Sequence, residues 1–427
     1  MEPLFLAVIC GCRAGLFFEA LHEVYIPRIQ RGNASFAANV LGARGAVLSV
    51  LAHFFEYGRW GSPADMGVEG QGITAEDHLY VLMQAALYLT VTRGFAAPEA
   101  RMCYERVESL CHSLNRPLLL YSALISQWRY SLWTDKLKAT MQIAGRVYSL
   151  AQEQNDARLM MGAYRVLAST LYFLGDFENS GQYAMRGLEI WRSGAVQCQV
   201  EEVSAPAVNC LCFKALSEWH FGEIASCRAT MAEAIPLAKE LNDMPALAVA
   251  LYFAGHLAHF EGNRAEVERL ASELIELSTR QNFAIWLPVG AVLRGWAGSA
   301  SDHNGISWIE DGIEDYRETG SIVMLPYFLA LKAEALQLAN RIPEALEAIK
   351  EAKRQAEISE ERFWCAELHR LRGVFLTNMG ADEAQIEVLF CEAIRIGKEQ
   401  KSISLVKRAE ASYADYRSRK CANKGQH

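Results

Sequence analysis

The segment Leu171-Tyr172-Phe173-Leu174-Gly175-Asp176-Phe177 decides the fold, because it contains a short break between two apolar runs of helical period. The same break recurs along the chain, with one anchor residue in each copy: Gly94, Thr134, Gly175, Gly222, Gly262, Asp302, Asn340 and Gly380. Successive anchors are 40, 41, 47, 40, 40, 38 and 40 residues apart. Most are Gly, Asn or Asp, which accept the left-handed conformation that commonly ends a helix before the chain reverses. The sequence therefore predicts a series of helix–turn–helix hairpins.

Small residues stand at fixed distances from these anchors. Seven residues before six of them are Ala168, Ala215, Gly255, Gly295, Ala333 and Gly373, and five residues after five of them are Ala139, Ser180, Cys227, Ser307 and Ala345. Seven residues is about two helical turns, so the first set shares one face of the first helix of each pair. A small side chain lets the partner helix approach closely. We expect the two sets to meet across each hairpin.

The pattern predicts an all-α fold and resembles the tetratricopeptide repeat, with slightly longer helices. We expect a tetratricopeptide-type α-α superhelical solenoid of about eight helix hairpins plus a capping helix near 402–417. Residues 74–417 form the predicted solenoid, and residues 418–427 a disordered tail. Residues 1–73 follow no such period and are predicted to be an atypical N-terminal helical cap. Its two runs, about 3–23 and 34–57, are joined through Ile26-Pro27-Arg28, with a hinge at Gly67–Gly72.

Composition excludes several classes of protein. Hydrophobic residues make up 51% of the chain and the formal net charge is −8, so no overall field attracts nucleic acid or an anionic membrane. The longest later apolar run, Met244–Phe260, is shorter than the roughly 20 residues that a membrane span requires. The 11 cysteines form no C-x-x-C pair, which favours free thiols in a reducing, cytoplasmic protein without a metal site.

Several phrases carry a resemblance to a known group. They are Thr92-Arg93-Gly94-Phe95-Ala96-Ala97-Pro98-Glu99, Leu293-Arg294-Gly295-Trp296-Ala297, Pro326-Tyr327-Phe328-Leu329-Ala330-Leu331 and Ala366-Glu367-Leu368-His369-Arg370-Leu371-Arg372-Gly373, with the segment around Gly175. Roughly residues 75–417 resemble the C-terminal tetratricopeptide-repeat region of bacterial multidomain adenylate cyclase-like and predicted-ATPase regulators. The resemblance implies the regulatory arm of a signal-transduction protein.

The chain departs from that group in its chemistry. It has no G-x-x-x-x-G-K-[ST] phosphate loop and no cyclase domain, so we expect neither catalysis nor a cofactor. The leading interpretation is a protein-interaction module that binds a peptide, a partner domain or a small effector, without direct contact to nucleic acid or membrane. The alternative is the truncated or separately encoded regulatory part of an adenylate or guanylate cyclase, or of an ATPase-linked transcriptional regulator.

First helices line the concave side of such a solenoid, so their polar and aromatic residues are candidates for partner binding. The predicted set is Gln127, Arg129, Tyr130, Tyr164, Arg165, Asn209, Lys214, Tyr252, His256, Trp286, Arg294, Tyr327, Lys332 and Arg370. His256 and His259 are three residues apart on one helix, but no further ligand stands at a suitable spacing for a metal. We therefore expect both to be core or groove histidines.

Overall fold

The computed structural model describes residues 1–32, 37, 43–56, 60, 73–94, 96–194, 205–300 and 304–424. Within these ranges the regular structure is helical, and no β-strand occurs. The contacts divide the chain into two compact units, Met1–Tyr130 and Ser131–His427. The predicted boundary at residues 73 and 74 concerns the start of the repeat and stays a prediction.

The first unit contains the opening helices and the first hairpin. Besides the short turn Phe17–Glu19, its described α-helices are α1 (Glu2–Arg13), α2 (Arg44–Leu51), α3 (Ala75–Arg93), α4 (Pro98–Leu114) and α5 (Pro117–Thr134), whose last turn lies beyond the division. Thr74 caps α3, since its hydroxyl accepts from the Asp77 amide at 3.2 Å while the Asp77 carboxylate accepts from the Thr74 amide at 2.8 Å. This capping box sets the start of the first hairpin.

The N-terminal segment differs from the expected pair of long helices. Helix α1 ends at Arg13, and Gly15 takes a φ of 78° before a π-helix spans Ala20–Gln30. Pro27 lies inside this π-helix rather than at a joint. Gln30 then donates to the Tyr88 hydroxyl at 3.2 Å, which ties the segment to α3. The predicted hinge at 67–72 lies outside the described residues.

The described residues of the second unit form fourteen further helices. They are α6 (Leu137–Gln154), α7 (Ala157–Phe173), α8 (Phe177–Arg192), α9 (Pro206–His220), α10 (Ile224–Glu240), α11 (Met244–Phe260), α12 (Arg264–Gln281), α13 (Trp286–Gly298), α14 (Gly305–Glu318), α15 (Leu325–Leu338), α16 (Ile342–Ser359), α17 (Cys365–Asn378), α18 (Glu383–Glu399) and α19 (Ile403–Lys424). From α7 onward they alternate as first and second helices of hairpins, and α19 follows the last hairpin. Helix α19 extends past the expected end at 417, because Lys420 pairs with Glu383 at 2.6 Å.

Close packing within hairpins follows the small residues. The Ser180 hydroxyl donates to the Ala168 carbonyl at 2.8 Å, so one pair meets as predicted. At Gly295, a Cβ atom would lie 2.7 Å from the Gly305 carbonyl oxygen. Ala139 and Ser307 are exposed, however, and this part of the prediction was wrong. Their places are taken by neighbours of the same turn: Thr140 bonds to Ser131 at 2.8 Å, and Ile309 packs on Gly295.

Residues in the left-handed conformation mark most corners of the chain. Several corners inside hairpins use Gly, as at Gly175 with a φ of 81°, although Asn340 with a φ of 59° takes this place between α15 and α16. The earlier corners between hairpins use Asn115, Asn155, Asn242 and Asn282, with φ values from 49° to 54°, and the later ones use Gly320, Glu360 and Lys401. Asn tolerates this left-handed conformation better than other residues with a Cβ atom. The Asn series is a second sequence signal that the anchor series does not include.

Residues about 180 to 190 positions apart come together in the second unit. The Ile322 amide donates to the Trp133 carbonyl at 2.8 Å, and the Arg362 amide donates to the Phe173 carbonyl at 2.8 Å. Nδ1 of His220 bonds to the Ser402 hydroxyl at 2.8 Å. Each contact joins the end of one first helix to the start of a helix about five hairpins later. The repeat thus coils until later hairpins pack on earlier ones.

This coiling buries the first helices on nearly every side. In α9 every residue except Lys214 is buried, whereas second helices such as α18 keep one buried stripe and one exposed face. The described helices contain none that is long and apolar enough to cross a membrane. No cluster of three or more potential metal ligands occurs in the described part of the chain.

We predict that Gly295→Ala destabilises the protein by about 1–3 kcal/mol, because the added methyl group meets backbone atoms that cannot rotate away. The matched control is Gly145→Ala in α6, where a Cβ atom meets nothing within 4 Å. That change should stabilise the helix by about 0.5–1 kcal/mol. Urea unfolding followed by circular dichroism measures both. Equal effects of the two substitutions would contradict the close approach at Gly295.

Candidate functional site

The fourteen predicted partner-binding residues fall into two groups by exposure. Gln127, Arg165, Asn209, Tyr252, His256, Trp286 and Tyr327 are buried, and Arg129, Tyr130, Tyr164, Lys214, Arg294, Lys332 and Arg370 are partly exposed. In the closed arrangement of the second unit a partner could not reach Tyr252, His256 or Tyr327. The physical reason is the packing of later hairpins on earlier ones, which fills the concave side. The partly exposed residues stay predictions.

The filled interior consists largely of aromatic rings. His256 lies with its ring centroid 4.1 Å from that of Tyr327, and its Nδ1 bonds to the Tyr252 hydroxyl at 3.2 Å. Burial lowers the pKa of His256 well below its usual value, and the nearby His259 and His220 lower it further. His256 is therefore a neutral histidine of the core, one of the two positions that the sequence left open.

A chain of polar contacts leads from this interior to the surface. The Tyr327 hydroxyl bonds to Nδ1 of His259 at 2.9 Å, and Nε2 of His259 lies 3.2 Å from the Glu334 carboxylate. Nε1 of Trp296 donates to the same carboxylate at 2.7 Å. Burial by itself would raise the pKa of Glu334. The neighbouring His259, the hydrogen bonds from His259 and Trp296, and the nearby Arg408 outweigh it and bring the pKa of Glu334 to about 2.

Glu334 opens into a cavity of about 610 Å³. The cavity lies where the ends of α9, α11 and α13 approach α15 and α19. Its lining residues are Trp219, Gly222, Ile224, His259, Phe260, Glu261, Gly262, Arg264, Trp296, Glu334, Ser404, Lys407 and Arg408. This volume falls within the usual range for ligand-binding clefts, about 300–1,000 Å³. It is the candidate site, and we call it the corner cavity.

Three cationic side chains line the corner cavity. The Arg264 guanidinium lies 4.1 Å from the centroid of the Trp296 ring and donates to the Trp296 carbonyl and, at 3.2 Å, to the Ser299 hydroxyl. Nη2 of Arg408 pairs with Glu367 at 2.9 Å. Lys407 is exposed. A cation stacked on an indole face and held by backbone carbonyls has little freedom to move, so Arg264 is fixed in place.

Arg264, Lys407 and Arg408 do not belong to the set of partner-binding residues predicted from the sequence. Arg264 follows the anchor Gly262 by two positions, and Glu334 follows the small residue Ala333 by one, so both had a place in the pattern. Lys407 and Arg408 lie on the helix that was assigned only a capping role. No local pattern brings α19 to the ends of α9 and α11, because that contact depends on how far the repeat coils.

A second buried carboxyl lies deeper in the unit. Glu361 is 2% exposed and accepts a hydrogen bond from the Met324 amide at 2.8 Å, where Met324 has a φ of 70°. Burial raises the pKa of Glu361 to about 8, although the Met324 hydrogen bond opposes the shift. The carboxyl thus holds a turn between hairpins in an unusual conformation while keeping its proton near neutral pH.

Comparisons with known proteins bear on the fold. No protein-family model matches the chain. The chain is 22% identical over 329 residues to an uncharacterized protein of Rhizobium meliloti (strain 1021), an alignment that covers 75% of this chain and 32% of that protein. The chain therefore spans about a third of the length of this curated relative.

Solved structures give the fold class. A crystal structure of a Rap protein complexed with competence and sporulation factor is similar, with a TM-score of 0.57 and 14% identity over 86% of this chain and 97% of that one. The human IFIT1 dimer with m7Gppp-AAAA is more distant, with a TM-score of 0.45 and 13% identity over 92% of this chain and 82% of that chain. The predicted all-α, tetratricopeptide-like helical repeat is confirmed.

We predict that Glu361→Gln changes the pH dependence of stability. Native Glu361 keeps its proton up to about pH 8, whereas the unfolded chain releases it near the ordinary value of about 4.3. Between these values unfolding releases a proton, so the wild-type free energy of unfolding falls as pH rises, by up to about 1.4 kcal/mol per pH unit. Glutamine keeps the oxygen that accepts from Met324 but does not titrate.

Urea unfolding between about pH 5 and about pH 9 measures this difference. The variant should gain stability relative to the wild type as pH rises. Glu276→Gln, on an exposed face of α12, is the control and should follow the wild-type curve. Parallel curves for wild type and Glu361→Gln would show that the buried carboxyl does not titrate in this range.

Proposed function

We propose that this chain is a non-catalytic repeat module that binds a protein or peptide segment in the corner cavity. The single observation that carries the proposal is the composition of this cavity, which brings Trp219, Phe260 and Trp296 together with the cations Arg264, Lys407 and Arg408. Its aromatic rims and cationic side chains combine the features that anchor peptides in repeat proteins. The likeness in fold to a Rap protein solved with competence and sporulation factor supports a binding role.

The state of the polar groups in the cavity argues for binding rather than reaction. Glu334 has a pKa of about 2, which makes it too weak a base to abstract protons efficiently near neutral pH. Both nitrogens of His259 are already hydrogen-bonded, to Tyr327 and to Glu334. The Ser404 hydroxyl, which also lines the cavity, donates to the Trp219 carbonyl. His259, Glu334 and Ser404 therefore each have a structural task.

The partly exposed candidates would extend such a binding surface. Tyr164 has its ring centroid 5.8 Å from that of Tyr183 and 6.0 Å from that of Tyr148, which makes a half-exposed group of three tyrosines on α6, α7 and α8. Tyrosines are enriched at the energetic centres of protein interfaces. We propose this group, together with Arg294 and Lys332, as secondary contacts.

The proposed biological setting is bacterial signal transduction. Its support is the resemblance of residues 75–417 to the repeat regions of multidomain regulators, together with the much longer Rhizobium meliloti relative. In the alternative reading the chain is the regulatory part of a cyclase or an ATPase-linked regulator. Titration with ATP and GTP distinguishes a nucleotide-responsive part from a plain adaptor. The absence of direct nucleic-acid contact stays a prediction.

We predict that peptides selected from a random displayed library on the full chain lose at least about tenfold in affinity for Ser404→Trp. The indole would fill the corner cavity from α19. Ala411→Trp places the same side chain on an exposed position of the same helix and should leave binding unchanged. Isothermal titration with the synthetic peptides measures the affinities, and a short oligoadenylate RNA serves as the nucleic-acid probe.

Two results would overturn the proposal. One is the failure of the library to yield any binder. The other is equal affinity of every selected peptide for the wild type and Ser404→Trp, which would place the binding surface elsewhere. Binding of the RNA with loss in Ser404→Trp would make nucleic acid the ligand.

A further inference from the structure

We infer that the corner cavity recognises a carboxylate group of the bound segment, through Arg264, Lys407 and Arg408. The inference rests on the proposed function, because it names the chemistry of the partner that the cavity would take. The three cations come from two distant parts of the chain, since Arg264 begins α12 and the other two lie on α19. They share one cavity only because the repeat coils back on itself.

An inventory of charges in the cavity shows an excess of cations. Glu261 pairs with Arg228 at 2.8 Å, and Glu367 is shared by Arg370 and Arg408. Glu334 is hydrogen-bonded to His259 and Trp296, so its single negative charge does not neutralise both Arg264 and Arg408. Lys407 has no ion pair with any described residue. Although the chain has a net charge of −8, this cavity therefore carries positive charge that its own carboxylates do not balance.

The state of Arg408 points toward a missing acceptor. Its Nη1 atom is buried and has no hydrogen-bond partner among the described residues, although Nη2 pairs with Glu367. A buried guanidinium nitrogen without an acceptor costs free energy, which a bound oxygen would recover. Arg408 also lines the cavity, and a small rotation of its side chain toward a bound oxygen would give this nitrogen an acceptor.

The apolar residues that line the corner cavity indicate why the bound carboxylate belongs to a peptide. Trp219, Phe260 and Trp296 supply apolar surface beside the cations, and Arg264 is already held against Trp296. A guanidinium fork binds the two oxygens of a carboxylate in its own plane. The cavity therefore offers planar donors next to apolar contact area, which suits an acidic residue or a chain terminus with its neighbouring side chains.

The test uses hexaglutamate with a free C-terminus as the probe, titrated into the full chain at low salt and followed by tryptophan fluorescence. Binding should weaken as salt rises from about 50 mM to about 200 mM, because the contacts are charged. Arg264→Gln combined with Lys407→Gln should weaken it about tenfold. Arg280→Gln combined with Lys398→Gln changes the net charge equally at exposed sites outside the cavity and should have less than about a twofold effect.

Because Arg264 also packs on Trp296, the single variant Lys407→Glu tests the same site without that packing change. It should weaken binding more than Lys398→Glu does. Amidated hexaglutamate separates the two sources of carboxylate: a large loss identifies the C-terminal group, and unchanged binding identifies side chains. Hexaglutamine should not bind.

Several outcomes would overturn the inference. They are no binding of hexaglutamate, equal binding by the cavity and control variants, or selective binding of inorganic phosphate with no binding of the peptide. These outcomes differ from failure of the proposed function, in which every library peptide binds the wild type and Ser404→Trp equally well. If library peptides lose affinity in Ser404→Trp but bind Lys407→Glu normally and carry no acidic residue, the peptide-binding function stands and the carboxylate inference fails.

Discussion

The second unit depends on the contact between hairpins that are about 180 to 190 residues apart. At three levels, the end of a first helix touches the start of a later one: Trp133 with Ile322, Phe173 with Arg362, and His220 with Ser402. A repeat in which each hairpin touches only its neighbours gains no such contacts, and its concave side stays open. Here the concave side is a core. First helices are consequently buried almost all round, and second helices alone retain an amphipathic pattern.

Burying polar groups in that core costs free energy unless they are bonded to one another. The structure meets this requirement with short chains of contacts, such as Tyr327 to His259 to Glu334, and with carboxyls that bind backbone amides, such as Glu361 with Met324. The two carboxyls have opposite pKa shifts for one physical reason. Glu334 has positive charge beside it, whereas Glu361 has mainly neutral and apolar neighbours, so burial dominates. The pKa of each buried carboxyl thus depends on which charged side chains the coiled repeat brings next to it.

The individual helix hairpins and their corners could be predicted from the sequence. Gly and Asn corners, small residues at Ala168 and Gly295, and the 40-residue spacing all follow from backbone conformations and contacts within one hairpin. The interior could not be read in the same way. The sequence places Tyr252, His256 and Tyr327 in an open groove, whereas the structure buries them. The number of hairpins per turn of the coil depends on small rotations between neighbouring hairpins, and no single residue determines these rotations. The same reason explains why Lys407 and Arg408 were missed.

Helix α19 connects closure of the coil with the corner cavity. Ser402 bonds to His220 and Ser404 bonds to the Trp219 carbonyl, while Lys407 and Arg408, one turn further, line the cavity opposite Arg264. A ligand that contacts α19 and Arg264 together binds only when α19 is docked. By mass action it stabilises the docked arrangement by RT ln(1 + [L]/Kd). On the proposed function, binding in the cavity and docking of α19 would therefore be linked, and a partner that occupies the cavity would rigidify hairpins far from the residues that it touches.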